Sequence, residues 1–451
     1  MTPNDAVTAY DAASSMPAQE RLLALSGELV DPRRKFCLEH MHALCAALGY
    51  PEQKFPAILI AGTNGKGSTA ATLDSILRAA GYQTGLYTSP HLERVHERIQ
   101  IAGREIEDTA LEQALAQVEA ATAQLLQASE LPHPPSFFEA MTATALVAFA
   151  ESGVEIAVLE VGLGGRLDAT NVVEPIVSVI TDISLDHTEF LGSTIAAITR
   201  EKAGILRKGG VMVTLPQHPE ATLAMGQIAT EMGVRGVSAI DYLPFLDPTE
   251  AGAHNHYPLT VLDEEIMIES PLDGVHQQRN LALAIATTVE LRNHHGYNIT
   301  AHHIADGIRA TQWPGRLQFL PQKDSPGLLI DVAHNPAGAW TLRAALAHWD
   351  PAPTSMTLLF GCMRDKALEE MAQILFPLFD RIVFTQVKSP RAASLESLLS
   401  AAAKLQAEVV EAADTKEALR LAQQLTPAEG LVVVAGSVYL VGAILREAVK
   451  L

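Results

Sequence analysis

The apolar residues of this chain fall into short uninterrupted runs and longer stretches of helical period. FPAILIAG (55–62), YQTGLYTS (82–89), VEIAVLEVG (154–162) and PIVSVITDIS (175–184) are of the first kind and read as strands. Helical patterns lie between them: the residues from Lys66 to Ala80, ALEQALAQVEAATAQLLQ (110–127) and FFEAMTATALVAFAES (137–152). Strand and helix in alternation predict a mostly parallel sheet covered by helices. The pattern softens from Gly236 to Pro271, where turn formers predict short strands or an excursion. A long helix follows, HQQRNLALAIATTVELRNHH (276–295).

The stretch HHGYNITAHHIADGIRATQWPGR (294–316) changes character and is the expected domain boundary. Beyond it GLLIDVA (327–333), SMTLLFG (355–361), RIVFTQV (381–387) and GLVVVAG (430–436) predict a second alternation of strands and helices. The expected fold is α/β, with an N-terminal domain over 1–297 and a smaller Rossmann-like C-terminal domain over 298–451. A chain of 451 residues exceeds the size at which single cores stop growing, which also favours two domains.

Composition narrows the function. A formal net charge of −20 argues against general nucleic-acid affinity, because phosphate backbones need a basic face. Cys37, Cys45 and Cys362 are unclustered and give neither a disulfide framework nor a cysteine-rich zinc site. The N-terminus lacks a signal-peptide pattern, and no apolar run approaches membrane-spanning length. A cytoplasmic protein without nucleic-acid or membrane partners is expected. The histidine pairs at 294–295 and 302–303 are expected to be surface residues.

The chemistry concentrates where predicted strands end. ILIAGTNGKGST (58–69) joins a strand to a helix through Gly62, Thr63, Asn64, Gly65, Lys66 and Gly67, the arrangement that aims backbone N–H groups at phosphate. Its spacing differs from the common phosphate-binding loop, because Gly67 separates Lys66 from Ser68 and Thr69. Lys66 could neutralise phosphate charge, and Ser68 or Thr69 could reach Mg²⁺. A glycine turn that only caps a helix is the alternative.

Glu160 closes a buried strand just before Gly162, Gly164 and Gly165. A carboxylate there is costly unless paired or bound to metal, so Mg²⁺ ligation is expected. For Arg166 and Asp168 a structural ion pair is the alternative to a functional role. TSPHL, carrying Ser89, and LDHTEFLG, carrying Asp186 and His187, also follow strands. So do DVAHNP, carrying Asp331, His334 and Asn335, and GSVYLVG, carrying Ser437. In open α/β sheets ligands bind at that edge. A helix cap beginning at Pro336 is the alternative for His334 and Asn335.

In this order GTNGKGS, TSPHL, FFE, EVGLGGRLDATN, LDHTEFLG, EKAG, HQQRN, WPGR, DVAHNP and GSVYLVG resemble the folylpolyglutamate synthase and dihydrofolate synthase family. These are ATP-dependent amide ligases related to the Mur peptidoglycan ligases. The resemblance runs from about Phe36 to the C-terminus. It implies a P-loop ATPase-like N-terminal domain, a Rossmann-like C-terminal domain and an active site between them. ATP would phosphorylate a pterin-borne carboxylate, and the α-amine of L-glutamate would displace the phosphate.

By the same resemblance the residues from Gly62 to Thr69, with Asn280, Arg316 and Asp331, contact ATP. Ser68 and Glu160 hold one Mg²⁺, and His187 stands near a second. Lys202 matches a lysine that CO₂ converts to a carbamate. Phe138 and Asp168 match pterin contacts, and Ser89, His334 and Ser437 match contacts to glutamate. Lys66, His187, Lys202 and His334 form the expected catalytic set. Dihydropteroate, reduced folates and L-glutamate are the expected substrates, and the expected state is a monomer. The alternatives are a member with a single activity, a Mur-type cell-wall ligase, and a non-catalytic ATP- and folate-binding protein. The cell-wall ligase is disfavoured because about 55 residues precede the loop, too few for a further domain of ordinary size.

Overall fold

A computed structural model describes residues 18–25, 37–244, 255–403 and 407–448. The N-terminal stretch 1–17 and part of the soft region, 245–254, lie outside these. Two compact units emerge. The first comprises Met1–Tyr242, Thr260–Glu264 and Asn280–Gly307, the second Leu243–Leu259, Glu265–Arg279 and Ile308–Leu451. Among the described residues no helix is long and apolar enough to cross a membrane.

The first unit is built on strands β1 (Ala57–Ala61), β2 (Thr84–Tyr87), β3 (Ile99–Ile101), β4 (Arg104–Glu105), β5 (Ile156–Glu160), β6 (Pro175–Ile180), β7 (Val211–Thr214) and β8 (Arg235–Ser238). They form one sheet in the order β4-β3-β2-β5-β1-β6-β7-β8. The run from β2 to β8 is parallel, whereas β3 and β4 add antiparallel pairs at one edge. Every residue of β1 and β5 is buried, which is why both read as unbroken apolar runs. Two neighbours of the first strand in chain order, β5 and β6, flank it in space, so the loop after β1 meets the loops after β5 and β6 at one sheet edge.

Strands β9 (Asn255–Val261) and β10 (Glu264–Ser270) form a separate two-stranded sheet in the soft region. Burial alternates along β9, so it has one buried and one open face. The second unit carries β11 (Gln318–Leu320), β12 (Gly327–Ile330), β13 (Met356–Phe360), β14 (Arg381–Thr385), β15 (Glu408–Ala412) and β16 (Leu431–Ala435). Their order is β11-β12-β16-β13-β14-β15, parallel except for β11. Leu329, Leu358, Phe360, Ile382, Phe384 and Val433 from these strands pack into one core.

Both expected α/β sheets are present. The helix Ala301–Arg309 belongs to the first unit as far as Gly307, where a side chain would fall 2.3 Å from the Ile76 Cα, so this helix and the helix Lys66–Ala79 touch backbone to backbone there.

Candidate active site

The loop after β1 is shaped by what surrounds it. The backbone N–H groups of Thr63 and Asn64 both donate to the Asp182 carbonyl, at 2.8 and 3.2 Å. Thr63 Oγ1 donates to the Ser184 carbonyl at 3.0 Å, and Thr181 Oγ1 donates to the Asn64 carbonyl at 2.7 Å. This lacing ties the loop to the segment after β6. It also commits the Thr63 and Asn64 N–H groups, so backbone phosphate donors must come from the start of the helix Lys66–Ala79. The first intrahelical bond there is Thr69 N to Gly65 O at 2.9 Å, which leaves the earlier N–H groups of that turn without helical partners.

Two glycines are obligatory here. At Gly62 an added Cβ would lie 1.8 Å from Thr181 Oγ1. At Gly65, which has φ +87°, it would lie 2.2 Å from Asn280 Oδ1. The second contact also places Asn280 directly against the loop.

Two lysines meet successive carbonyls of this loop. Lys66 Nζ donates to Thr63 O at 3.1 Å, and Lys202 Nζ donates to Gly62 O at 2.7 Å. Lys202 is only 5 % exposed. Burial first, and the nearby Lys66 charge second, lower its amine pKa to about 7. Lys202 is positioned by the glycine-rich segment after β5. Gly165 lets that segment close on the helix Ile195–Ala203, because a Cβ there would fall 2.7 Å from the Lys202 carbonyl. Arg166 N donates to Glu201 O at 2.8 Å, and the Arg166 side chain pairs with Glu201 at 2.9 Å. The Arg166–Asp168 ion pair, the alternative to a functional role for these two residues, does not form. Asp168 instead caps the short helix Ala169–Val172, accepting from Thr170 N at 3.0 Å and Leu163 N at 2.8 Å. Burial raises its pKa.

Glu160, 5 % exposed, is registered opposite Ile60, two residues before Gly62, and accepts from Ser89 N at 3.1 Å. Ser68 is buried on the helix's first turn, and the buried Thr69 hydroxyl has no hydrogen-bond partner among the described residues. His187 adopts a left-handed conformation, φ +50°, with Nε2 at 3.9 Å from Asp186 Oδ1. Among the described residues no three His, Cys, Asp or Glu side chains form a metal-holding group. A buried carboxylate and helix-start hydroxyls beside a phosphate loop still fit Mg²⁺, which takes few protein ligands and completes its shell with water and phosphate oxygen.

A cavity of about 280 Å³ lies in the same unit, with Ser89, Phe138 and Asp168 in its wall. The pterin candidates Phe138 and Asp168 therefore share one cavity with Ser89, which was expected at the glutamate. Gly162 makes room for the aromatic ring: a Cβ there would be 2.5 Å from Phe138 Cζ. Ser136 and Glu139 form a reciprocal cap that starts the helix Phe137–Glu151 at the wall. Sequence reasoning gave no role to Arg98 and His91. Arg98 Nε donates to His91 Nδ1 at 2.8 Å, and burial followed by the Arg98 charge lowers the His91 pKa to about 4. A charged residue immediately before the apolar β3 was the available signal for Arg98.

In the second unit the loops after β12 and β16 meet. Ile330 is registered with Val434, and Gly436 N donates to Ala333 O at 2.8 Å. Asp331 is buried and accepts from Leu317 N at 2.9 Å and Ala333 N at 2.8 Å; burial raises its pKa while Arg316 opposes the rise. His334 Nδ1 lies 2.9 Å from Val332 O. Asn335 caps the helix Pro336–Ala347 through Gly338 N at 2.8 Å, as the capping alternative expects. Buried Ser437 accepts from Tyr439 N at 3.2 Å, and the Arg316 guanidinium sits 5.7 Å from the centre of the Trp313 ring.

Residues 60–288 match the Mur ligase middle domain and residues 315–438 match the Mur ligase glutamate ligase domain. The fold and site thus define an ATP-dependent ligase of the Mur type. Folylpolyglutamate synthase of Lacticaseibacillus casei is 37 % identical over 367 residues, covering 80 % of this chain and 82 % of that one. Dihydrofolate synthase/folylpolyglutamate synthase of Bacillus subtilis is 33 % identical, covering 91 % and 94 %. The Mycobacterium tuberculosis folylpolyglutamate synthase complexed with ADP and AMPPCP superposes with a TM-score of 0.85 at 33 % identity, covering 97 % of this chain and 98 % of that one. Escherichia coli FolC in complex with DHPP and ADP gives 0.81 at 29 %, covering 97 % and 99 %. A bifunctional folylpolyglutamate synthase/dihydrofolate synthase with Mn, AMPPNP and L-glutamate bound gives the same TM-score, identity and coverage. The chain belongs to the dihydrofolate synthase/folylpolyglutamate synthase family.

Gly65→Ala sets a side-chain atom against Asn280 in a left-handed conformation, strain of about 1–3 kcal/mol. Calorimetric titration with a non-hydrolysable ATP analogue should show roughly tenfold to hundredfold weaker binding with the far-UV circular dichroism unchanged. Unaltered affinity would contradict the geometry assigned to the loop.

Proposed function

We propose that this protein joins L-glutamate to 7,8-dihydropteroate and extends reduced folates with further glutamates, converting ATP to ADP and phosphate. The observation that carries the reading is one sheet edge holding a loop whose Gly62 and Gly65 admit no side chain, the buried Glu160 and the cavity walled by Ser89, Phe138 and Asp168. Ligands of the solved relatives supply the remainder: nucleotide, DHPP and L-glutamate are bound by proteins of this fold.

A carboxylate repels a nucleophile, so it must first be converted into an electrophile. Its oxygen attacks the γ-phosphorus of ATP, the bond to the bridging oxygen breaks, and ADP departs. The glutamate amine then attacks the acyl carbon, loses a proton and expels phosphate. Residues 1–297, the ATP-binding domain, and 298–451, the glutamate-ligase domain, both contribute side chains to the two steps. The first turn of the helix after Gly65, with Lys66, cradles the phosphates, and Asn280, Arg316 and Asp331 hold the rest of the nucleotide. Phe138 and Asp168 fix the pterin, while Ser89, His334 and Ser437 orient the incoming glutamate. These contacts position the reactants and stabilise the charge that develops during phosphoryl transfer. Ser68, Glu160, His187 and a carbamate on Lys202 would hold Mg²⁺ at two positions, where it supplies positive charge to the phosphate oxygens.

The carbamate has a physical rationale. A buried amine beside another lysine favours its uncharged form, the form that attacks CO₂. The product carries a negative charge where the ammonium faced repulsion. We further read the protein as a cytoplasmic monomer; its three cysteines are all free thiols.

ADP release measured with dihydropteroate and with tetrahydrofolate, each with and without glutamate, tests the function. Sustained release only with a pterin and glutamate together is expected, and it should vanish in Lys66→Ala. Turnover with one pterin alone would reduce the protein to a single activity; ADP release indifferent to both pterins would overturn the reading. Protein equilibrated with ¹³CO₂ should show a carbamate carbonyl signal by ¹³C NMR that Lys202→Ala lacks, and a spectrum without it would remove the carbamate.

A further inference from the structure

Arg98 is a buried cation with no anionic partner among the described residues. It is 6 % exposed, and it lines the cavity beside Ser89 and Phe138. Its Nε donates to His91 Nδ1, its guanidinium carbon lies 5.2 Å from the centre of the Phe137 ring, and its charge is felt at the Tyr87 hydroxyl. No carboxylate forms an ion pair with it among the described residues. The two carboxylates in the cavity wall are engaged by backbone donors: Asp168 by Leu163 and Thr170, and Glu139 by Ser136 N at 2.7 Å. A buried guanidinium whose polar neighbours, His91 and the Tyr87 hydroxyl, are neutral is an expensive arrangement unless an anionic ligand completes it.

Its place on the sheet edge indicates which ligand. Thr88 N donates to Arg98 O at 3.1 Å, which sets Arg98 beside Ser89, and Ser89 N in turn donates to Glu160 at the edge bearing the phosphate loop. The His91 contact fixes the guanidinium through Nε, and the Tyr87 hydroxyl accounts for only part of what remains of a five-donor group suited to a carboxylate. We propose that Arg98 is the anion anchor of this cavity and binds the carboxylate that a pterin-class substrate presents for activation. The proposal rests on assigning the cavity to the pterin. It adds a specificity element: the cavity should select an acid over its neutral amide before any nucleotide binds.

Titration of the whole protein with pteroate and with its carboxamide, in the absence of ATP, tests this. The wild-type protein should bind the acid at least about 30-fold more tightly than the amide, the loss expected when a buried charge pair lacks one member. Arg98→Met should lose that preference while binding the amide within about twofold of wild type, and Arg98→Lys should retain part of it. Equal affinity of the wild-type protein for acid and amide overturns the anchor, and so does an Arg98→Met variant that keeps the preference. A wild-type protein that binds neither ligand overturns the pterin assignment and the anchor with it. The wild-type comparison needs no variant, so it stands even if Arg98→Met fails to fold.

Discussion

The site depends on how closely the backbone after β1 approaches its neighbours. Gly62 lies against Thr181 and Gly65 against Asn280, at separations that leave no room for a side chain. Hydrogen bonds from Thr63, Asn64 and Thr181 tie the loop to the segment after β6 through the protein's own groups. Contacts of this kind order a loop during folding, so that a ligand meeting it would have less conformational entropy to remove. The same lacing decides which N–H groups can meet phosphate, because those of Thr63 and Asn64 face Asp182.

Charge follows from that geometry. Lys66 and Lys202 donate to the carbonyls of Thr63 and Gly62, so two amines are pressed towards one turn, and the buried one is pushed towards neutrality. The glycine-rich segment closes on the backbone of the helix bearing Lys202, whose side chain is buried. A small departure from the common loop spelling, Gly67 between Lys66 and Ser68, thus sits within an environment built from three separate stretches of sequence.

Much of this was legible beforehand. Unbroken apolar runs at β1, β5, β6, β12, β13, β14 and β16 gave the parallel sheets, because strands buried on both faces show no alternation. Polar residues immediately after those runs marked the ligand edge. Less regular strands escaped: β7 is four residues long, β8 is largely exposed, and β15 carries glutamates at 408 and 411. Partners across the fold were harder still. Arg166 lies two residues from Asp168 in sequence yet pairs with Glu201, because the segment turns its backbone onto a distant helix. Arg98 could not be singled out, since a lone arginine before a strand has no signature; only burial and the lack of a carboxylate partner among the described residues distinguish it.

The central claim is chemical: this edge turns a carboxylate into an acyl phosphate before an amine arrives. Transfer of ¹⁸O tests it most directly. With both carboxylate oxygens of dihydropteroate labelled, the phosphate released during turnover with ATP and glutamate should carry one ¹⁸O per molecule, read by ³¹P NMR. Phosphate free of label would mean that the carboxylate oxygen never bonded to phosphorus, and would contradict the account.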